Sequence, residues 1–139
     1  VIADLASQLR PALLRLTRLV RNQRVDTSVS LTQISAMATL HKVGPMSAGD
    51  LAAREKVQPP SMTKVIAYLE ERGLVRRELN PTDKRSSIIG ITDAGLDLLE
   101  SEARSRDLWL SQRLAELTAE ERSLVRKAIP ILEKLAGGQ

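Results

Sequence analysis

Apolar positions Ile2, Leu5, Leu9, Leu13, Leu16 and Val20 recur at steps of three and four. That spacing collects side chains on one stripe of a helix and predicts a first helix reaching to about Asn22. Arg10, Arg15, Arg18, Arg21 and Arg24 fall on its other faces. Ser30 followed by Gln33 has the spacing of a capping box, in which two free amides at a helix start are satisfied reciprocally. Leu31, Ile34, Met37, Ala38 and His41 then continue one face of a second helix, which Gly44-Pro45 stops. Ser47 caps a short helix containing Leu51 and Ala52, with Asp50 at the third position after it. Lys56, Val57 and Gln58 read as a turn. Pro59 and Pro60 fit the first turn of the following helix, where a missing amide has no partner to lose. That helix runs to Arg72, with Gly73 as its left-handed cap. Met62, Val65, Ile66 and Leu69 form its expected buried face. Pro60, Thr63, Lys64, Ala67 and Glu71 gather opposite, flanked by Ser61 and Tyr68.

Val75 to Leu79 and Ser86 to Ile91, both rich in β-branched residues, flank Asn80-Pro81-Thr82-Asp83 and predict a hairpin. Pro presets the turn angle and Asn can accept from a turn amide. The alternation is imperfect, because Ile88 interrupts the parity shared by Val75, Arg77, Leu79, Ile89 and Ile91. Thr92 can cap a long helix in which Leu96, Leu99, Ala103, Leu110, Leu114 and Leu117 recur at helical spacing. Thr118-Ala-Glu-Glu121 is a second capping box and opens a last helix with Leu124, Ala128, Ile131, Leu132 and Leu135 on its apolar face. Pro130 inside that helix predicts a kink or an early end. The order is helix, helix, helix-turn-helix, hairpin, helix, helix: a mainly α fold with a small β-hairpin. The terminal helices carry more apolar stripe than a chain of this length covers by itself. Leu5, Leu9, Leu117, Leu124, Ile131, Leu132 and Leu135 are therefore expected to pair with a second copy.

The chain has 139 residues, of which 42% are hydrophobic and 27% charged, the balance of a folded protein and not of a disordered one. It contains no Cys, which removes disulfides, thiolate metal sites and thiol redox sensing, and a single His, which removes a multi-histidine metal site. With no Phe, one Tyr and one Trp, the core is expected to be aliphatic, and stacking of unpaired bases on an aromatic platform is disfavoured. Net charge is +4, distributed as +3 over residues 1–41, +3 over 42–90 and −2 over 91–139. The positive two-thirds suggest a polyanionic partner. No stretch approaches the roughly 18 apolar residues of a membrane span, no signal-peptide pattern opens the chain, and a cytoplasmic location is the default expectation. The sequence begins at Val1 without Met, so residues are expected to be missing from the front.

A helix-turn-helix lays its second helix in the major groove, with N-terminal side chains at base edges. Pro60, Ser61 and Thr63 allow close approach, Lys64 can meet a phosphate or guanine, and Tyr68 can reach the backbone. Lys84 and Arg85 lie at the hairpin tip, where a basic protrusion can enter a narrow minor groove, and Asp83 can orient the Arg85 guanidinium by a charge-assisted bond. Catalysis is disfavoured. His41 falls on the apolar face of its helix and reads as a packed structural histidine. The adjacent acid pairs Glu70-Glu71 and Glu120-Glu121 diverge by about 100° on a helix, and no phosphate-binding glycine loop is present. The alternative is a winged-helix protein-interaction module without DNA binding. Such a module has no reason to keep Asp83, Lys84 and Arg85 together with Ser61, Thr63 and Lys64, and its retention on heparin or duplex would lack a steep salt dependence.

Gly73-Leu-Val-Arg-Arg77, Asn80-Pro-Thr-Asp-Lys-Arg85 and Ile91-Thr-Asp-Ala-Gly95 resemble, in order and spacing, the wing region of the MarR (multiple antibiotic resistance regulator) family. Leu51-Ala52, Ser61-Met-Thr-Lys64 and Leu69-Glu-Glu-Arg-Gly73 resemble its helix-turn-helix. The resemblance implies a homodimeric winged helix-turn-helix transcription regulator, usually a repressor, that binds a pseudo-palindromic double-stranded operator. It further implies release by a small, often phenolic or otherwise lipophilic anion, and no cofactor or metal. Carried over by position, Ser61, Thr63 and Lys64 are major-groove and phosphate contacts, Arg85 enters the minor groove, Asp83 orients it and Arg77 supports the wing base; Pro60, Tyr68, Lys84 and Ser86 complete the candidate DNA-binding residues. The implied organisation is a dimerisation helix over residues 1–29, the DNA-binding domain over 30–92 and dimerisation helices over 93–139. An effector is expected where the helical region meets the winged domain, with Arg10, Arg15 or Arg18 as candidate partners for its charge. This chain departs from the family pattern at Glu55 and Lys56, where an apolar residue and Gly are common, and at the Pro59-Pro60 pair.

Overall fold

The computed structural model describes residues 1–137. The elements are α1 (Ile2–Arg21), α2 (Leu31–Val43), β1 (Met46–Ser47), α3 (Ala48–Glu55), α4 (Pro59–Glu71), β2 (Val75–Leu79), β3 (Ser87–Ile91), α5 (Asp93–Ala115) and α6 (Ala119–Leu135). The chain divides into two compact units. One spans Arg24–Arg104, and the other combines Val1–Gln23 with the chain from Ser105 on.

In the Arg24–Arg104 unit, α2 starts at the expected capping box: Ser30 accepts from the Gln33 amide while the Gln33 side chain accepts from the Ser30 amide. Ser47 caps α3 through the Asp50 amide. α4 ends in paired 6→1 and 5→2 bonds, Leu74 N–H to the Leu69 carbonyl and Gly73 N–H to the Glu70 carbonyl. Gly73 takes the left-handed conformation this closure requires. The hairpin pairs Val75 with Ile91, Arg77 with Ile89 and Leu79 with Ser87. The shared parity is thus real, and Ile88 lies on the other face, opposite Glu78 and Ser47. β1, which the sequence pattern did not reveal, adds an antiparallel edge, giving the sheet order β1-β3-β2.

The core of this unit joins Ile34, Met37 and Leu40 of α2, Leu51 and Ala52 of α3, Met62, Ile66 and Leu69 of α4, and Val75 and Ile89 of the sheet. It is aliphatic, as the near absence of aromatic residues requires. His41 is exposed and not packed; the buried face of α2 runs through Ile34, Ala36, Met37 and Leu40, and the step from Met37 to Leu40 turns the next residue outward. Thr92 locks the wing to α4 and α5. Its hydroxyl donates to the Gly73 carbonyl (2.6 Å) and accepts from the Gly95 amide (3.1 Å), and its own amide donates to the Leu74 carbonyl (3.1 Å). A Cβ on Gly95 would overlap the Leu74 carbonyl oxygen and lie 2.8 Å from the Ile91 side chain, so only glycine lets α5 start this close to the sheet.

In the second unit, α6 opens at the expected capping box of Thr118 and Glu121. It continues through Pro130 to Leu135, so the early end expected at that proline does not occur. The one backbone bond that proline deletes is outweighed by the turns on either side. Leu5, Leu124, Ile131, Leu132 and Leu135 are all exposed, Leu9 and Leu117 are half-buried, and neither α1 nor α6 has a buried residue. No helix among the described residues is long and apolar enough to cross a membrane.

Candidate nucleic-acid interface

The turn between α3 and α4 closes as a left-handed cap, with Lys56 at φ 55° and ψ 43° in the position where glycine is favoured. The Lys56 amide donates to the Ala53 carbonyl and the Val57 amide to the Ala52 carbonyl. The missing glycine therefore leaves the geometry intact at the cost of about 1 kcal/mol or more of local strain. Glu55, the other departure, accepts from the Thr39 hydroxyl at 2.8 Å and ties the turn to α2. Pro59 and Pro60 occupy the first two positions of α4, where their fixed φ suits helix and their missing amides leave no buried donor orphaned.

The burial of Met62, Ile66 and Leu69 turns the other side of α4 outward: Pro60, Ser61, Thr63 and Lys64 are exposed. The Thr63 hydroxyl donates to the Pro59 carbonyl (3.0 Å), which commits its one donor and leaves its lone pairs able to accept. Tyr68 is only partly exposed. Its hydroxyl donates to the Ser28 carbonyl (2.8 Å) and accepts from Arg72 (2.7 Å), so its one donor is committed within the protein.

At the wing tip, Asn80 accepts from the Thr82 amide (3.0 Å) and hydroxyl (2.8 Å) and donates through its side-chain amide to the Ser86 hydroxyl (3.1 Å). Ser86 closes the loop from the other side. Its amide and hydroxyl both donate to the Asp83 carbonyl. Asp83 Oδ1 accepts from the Arg85 amide at 3.0 Å and from Arg85 Nε at 3.3 Å. The Arg85 side chain is nevertheless 93% exposed. It is a cation held at its root and free at its end, the arrangement expected from the spacing of Asp83 and Arg85. Lys84 is exposed beside it. At the wing base Arg77 Nε lies 3.5 Å from Glu70 of α4, a link between strand and helix that fixes their relative position more than it adds stability. The exposed face of α4, Arg77 and the tip thus belong to one unit joined by the Leu74, Thr92 and Glu70 contacts. Among the described residues neither Lys64 nor Lys84 has an acidic partner.

Sequence reasoning missed a polar cluster at the C-terminal end of α4. Arg72, the residue capping α4, donates to the Tyr68 hydroxyl (2.7 Å), the Ser28 hydroxyl (2.8 Å) and Asp26 (3.0 Å). Hydrogen bonds from the Ser28 hydroxyl and amide, then from Arg72, hold the Asp26 carboxyl below its ordinary range, and the Tyr68 and Asp26 bonds push the Arg72 guanidinium further up. Two residues upstream, Arg24 Nε meets Glu102 of α5 at 3.1 Å. Glu102 has no exposed surface. Both its oxygens are filled, by Arg24 and by the amides of Val25 (3.2 Å) and Asp26 (3.1 Å). Burial pushes that carboxyl up, but the Arg24 bond and the two amides together outweigh it and hold it below the usual value. The signals available were an Arg at a helix end and one of two Glu in a helix rich in charged residues, and both ordinarily mean solvent.

In the second unit, a cavity of about 490 Å³ is lined by Ala12, Arg15, Leu16 and Leu19 of α1 and by Trp109 and Arg113 of α5. The Arg113 guanidinium lies 5.0 Å from the centre of the Trp109 ring. No group of three or more metal-ligating side chains occurs among the described residues.

The MarR family model matches residues 29–87. An HTH-type transcriptional regulator of Mycobacterium tuberculosis is 42% identical over 94% of this chain and 91% of its own length. The HTH-type transcriptional repressor MdtR of Bacillus subtilis is 31% identical over 78% of this chain and 68% of its own. Among solved structures, a transcriptional regulator protein of Pseudomonas aeruginosa superposes with a TM-score of 0.86 at 26% identity, covering 98% of this chain and 96% of that one.

Proposed function

This chain belongs to the MarR family of HTH-type transcriptional regulators, and from that premise we propose that it is a repressor that grips a pseudo-palindromic duplex as a homodimer. Ser61, Thr63 and Lys64, entered through Pro60, read the major groove. Arg85, oriented by Asp83 and accompanied by Lys84, enters the adjacent minor groove, while Arg77 supports the wing base, Ser86 braces the tip and Tyr68 steadies the helix toward its C-terminal end. The observation that carries this reading is the pairing of an exposed small-residue helix face with a rooted, outward-pointing arginine in one rigid unit. A module without DNA binding would have no use for a desolvatable serine and threonine face beside an unneutralised Lys64 and Lys84. Repression is supported by the name of MdtR.

The dimer is formed by the helices flanking the DNA-binding domain, residues 1–29 and 93–139, through Leu5, Leu9, Leu117, Leu124, Ile131, Leu132 and Leu135. Most of these are large apolar side chains left in water in the single chain, a costly exposure that a second copy removes. It sets the two reading helices about one DNA turn, roughly 34 to 36 Å, apart. The effector is a small lipophilic anion. The cavity of Leu16, Leu19 and Trp109 flanked by Arg15 and Arg113, which lies wholly within the second unit and not at the expected junction with the winged domain, has the apolar body and cationic rim such a molecule needs. The effector lowers DNA affinity only to the extent that it binds the released conformation better than the bound one. Selection of duplexes from a random pool tests the reading. A palindrome with half-sites about 10 base pairs apart is expected, and failure to retain any duplex at low ionic strength overturns it.

A further inference from the structure

The segment 24–29 between α1 and α2 is held from two sides. On one side, Glu102 of α5 accepts from Arg24 and from the amides of Val25 and Asp26. Arg24 in turn donates to the carbonyls of Asp26 (3.0 Å) and Val29 (2.6 Å), so the segment is wrapped around one guanidinium. On the other side the same segment holds the end of the reading helix: Asp26 and the Ser28 hydroxyl take Arg72, and the Ser28 carbonyl takes the Tyr68 hydroxyl. Ser28 donates to Asp26 as well, so each donor in the latch has an acceptor. Tyr68 and Arg72 lie on the same side of α4 as Ser61 and Lys64 but about one to three turns further on, at its C-terminal end.

We infer that Asp26, Arg72 and Tyr68 are positioning residues for DNA recognition, a latch that fixes the tilt of α4 from its far end. The inference rests on the DNA-binding reading above. Thr63 and Arg72 are nine residues apart, about 13 Å along a helix. A tilt of about 5° at the latch therefore moves the reading residues by about 1 Å, enough to take base-edge hydrogen bonds out of range. The inner face, Met62, Ile66 and Leu69, resists translation. Apolar contact is non-directional, so it resists tilt less than a set of oriented hydrogen bonds does. Because Glu102 anchors the segment, a displacement of α5 at that residue reaches the reading helix through a continuous chain of bonds.

The test exploits the sign of charge. Asp26→Asn removes a negative charge near a polyanion, which by electrostatics alone leaves affinity unchanged or raises it. The latch requires it to fall, by about five- to tenfold. Arg72→Lys keeps the positive charge but cannot span Asp26, Ser28 and Tyr68 together, and the same loss is expected. Binding of the full-length variants to the duplex selected by the wild-type protein is measured by anisotropy across a salt series, with the active fraction from stoichiometric titration. The slope of log affinity against log salt and the active fraction stay at wild-type values, because Asp26→Asn removes no cation and Arg72→Lys keeps its charge, and Asp26→Glu restores binding. Wild-type or tighter binding by Asp26→Asn or Arg72→Lys overturns the latch, as does a fall in the salt slope of Arg72→Lys. Absence of duplex binding by the wild-type protein overturns instead the DNA reading on which the latch depends.

Discussion

Replacing Arg24 by Met keeps most of its aliphatic bulk and removes the guanidinium that faces Glu102. In the native protein Glu102 is fully buried and its carboxylate takes four hydrogen bonds, two from Arg24 and two from the amides of Val25 and Asp26. After the substitution the two amides remain, but a buried anion has lost its one counter-charge among the described residues, and the carbonyls of Asp26 and Val29 lose a donor. Breaking a buried pair from one side costs about 3 to 5 kcal/mol, a large share of the roughly 5 to 15 kcal/mol that hold a domain folded. The sign of the pH dependence follows from the carboxyl. Its native value lies below the ordinary one, so in the wild type its contribution is present above the unfolded value, near 4.5, and is lost as pH falls through the lowered native value. Without Arg24, burial still pushes the carboxyl up while only the two amide bonds pull it down, so its native value rises from the wild-type position. The variant then gains stability relative to the wild type as the pH falls. Urea unfolding followed by circular dichroism at pH 7 and again near pH 4 measures both curves. The gap is expected to be widest at neutral pH and to shrink in acid. A gap under about 1 kcal/mol, or one that does not change with pH, would refute the account of Glu102.

Arg85→Ala is expected to weaken operator binding by about 1 to 3 kcal/mol in a gel-shift titration, with no change in melting temperature, because the side chain is 93% exposed. Gly95→Ala places a methyl group against the Leu74 carbonyl and is expected to destabilise by about 1 to 3 kcal/mol in thermal unfolding; a neutral result would mean α5 can slide outward freely. Lys56→Gly relieves the left-handed lysine at φ 55°, and after the entropy cost of glycine is expected to raise stability by about 0.5 kcal/mol, checked by urea midpoint at constant slope.

What the sequence made legible was local. The capping boxes of Ser30 and Thr118, the Gly73 closure, the proline start of α4 and the Asn80 side-chain bond to a loop amide each depend on residues within a few positions of one another, and each is present; the closed backbone turn falls at Asp83–Ser86. The bond from Asp83 to Arg85 is of the same kind. What escaped notice was long-range or too short for a pattern. Glu102 is buried only because Arg24, 78 residues away, and two amides of a linker meet it. The Asp26 to Arg72 pair spans 46 residues. β1 has two residues, too few for alternation to register. His41 follows directly on Leu40, where the buried face of α2 ends, and so faces solvent although its spacing from Met37 fits the stripe. Pro130 was overweighted, since a proline inside a helix need not end it when both flanking turns are intact.

The paired prolines that open α4 bear on how recognition would be driven. Two consecutive residues with locked backbone angles keep the first turn wound before any partner arrives, so the reading surface presents a ready-made relief and does not fray between encounters. The arginine at the wing tip has the opposite character, tethered at its base and unconstrained at its end. Association would therefore demand ordering at the hook and almost none at the die. Sequence discrimination then comes from the stiff part, and tolerance of variations in groove width from the pliant one.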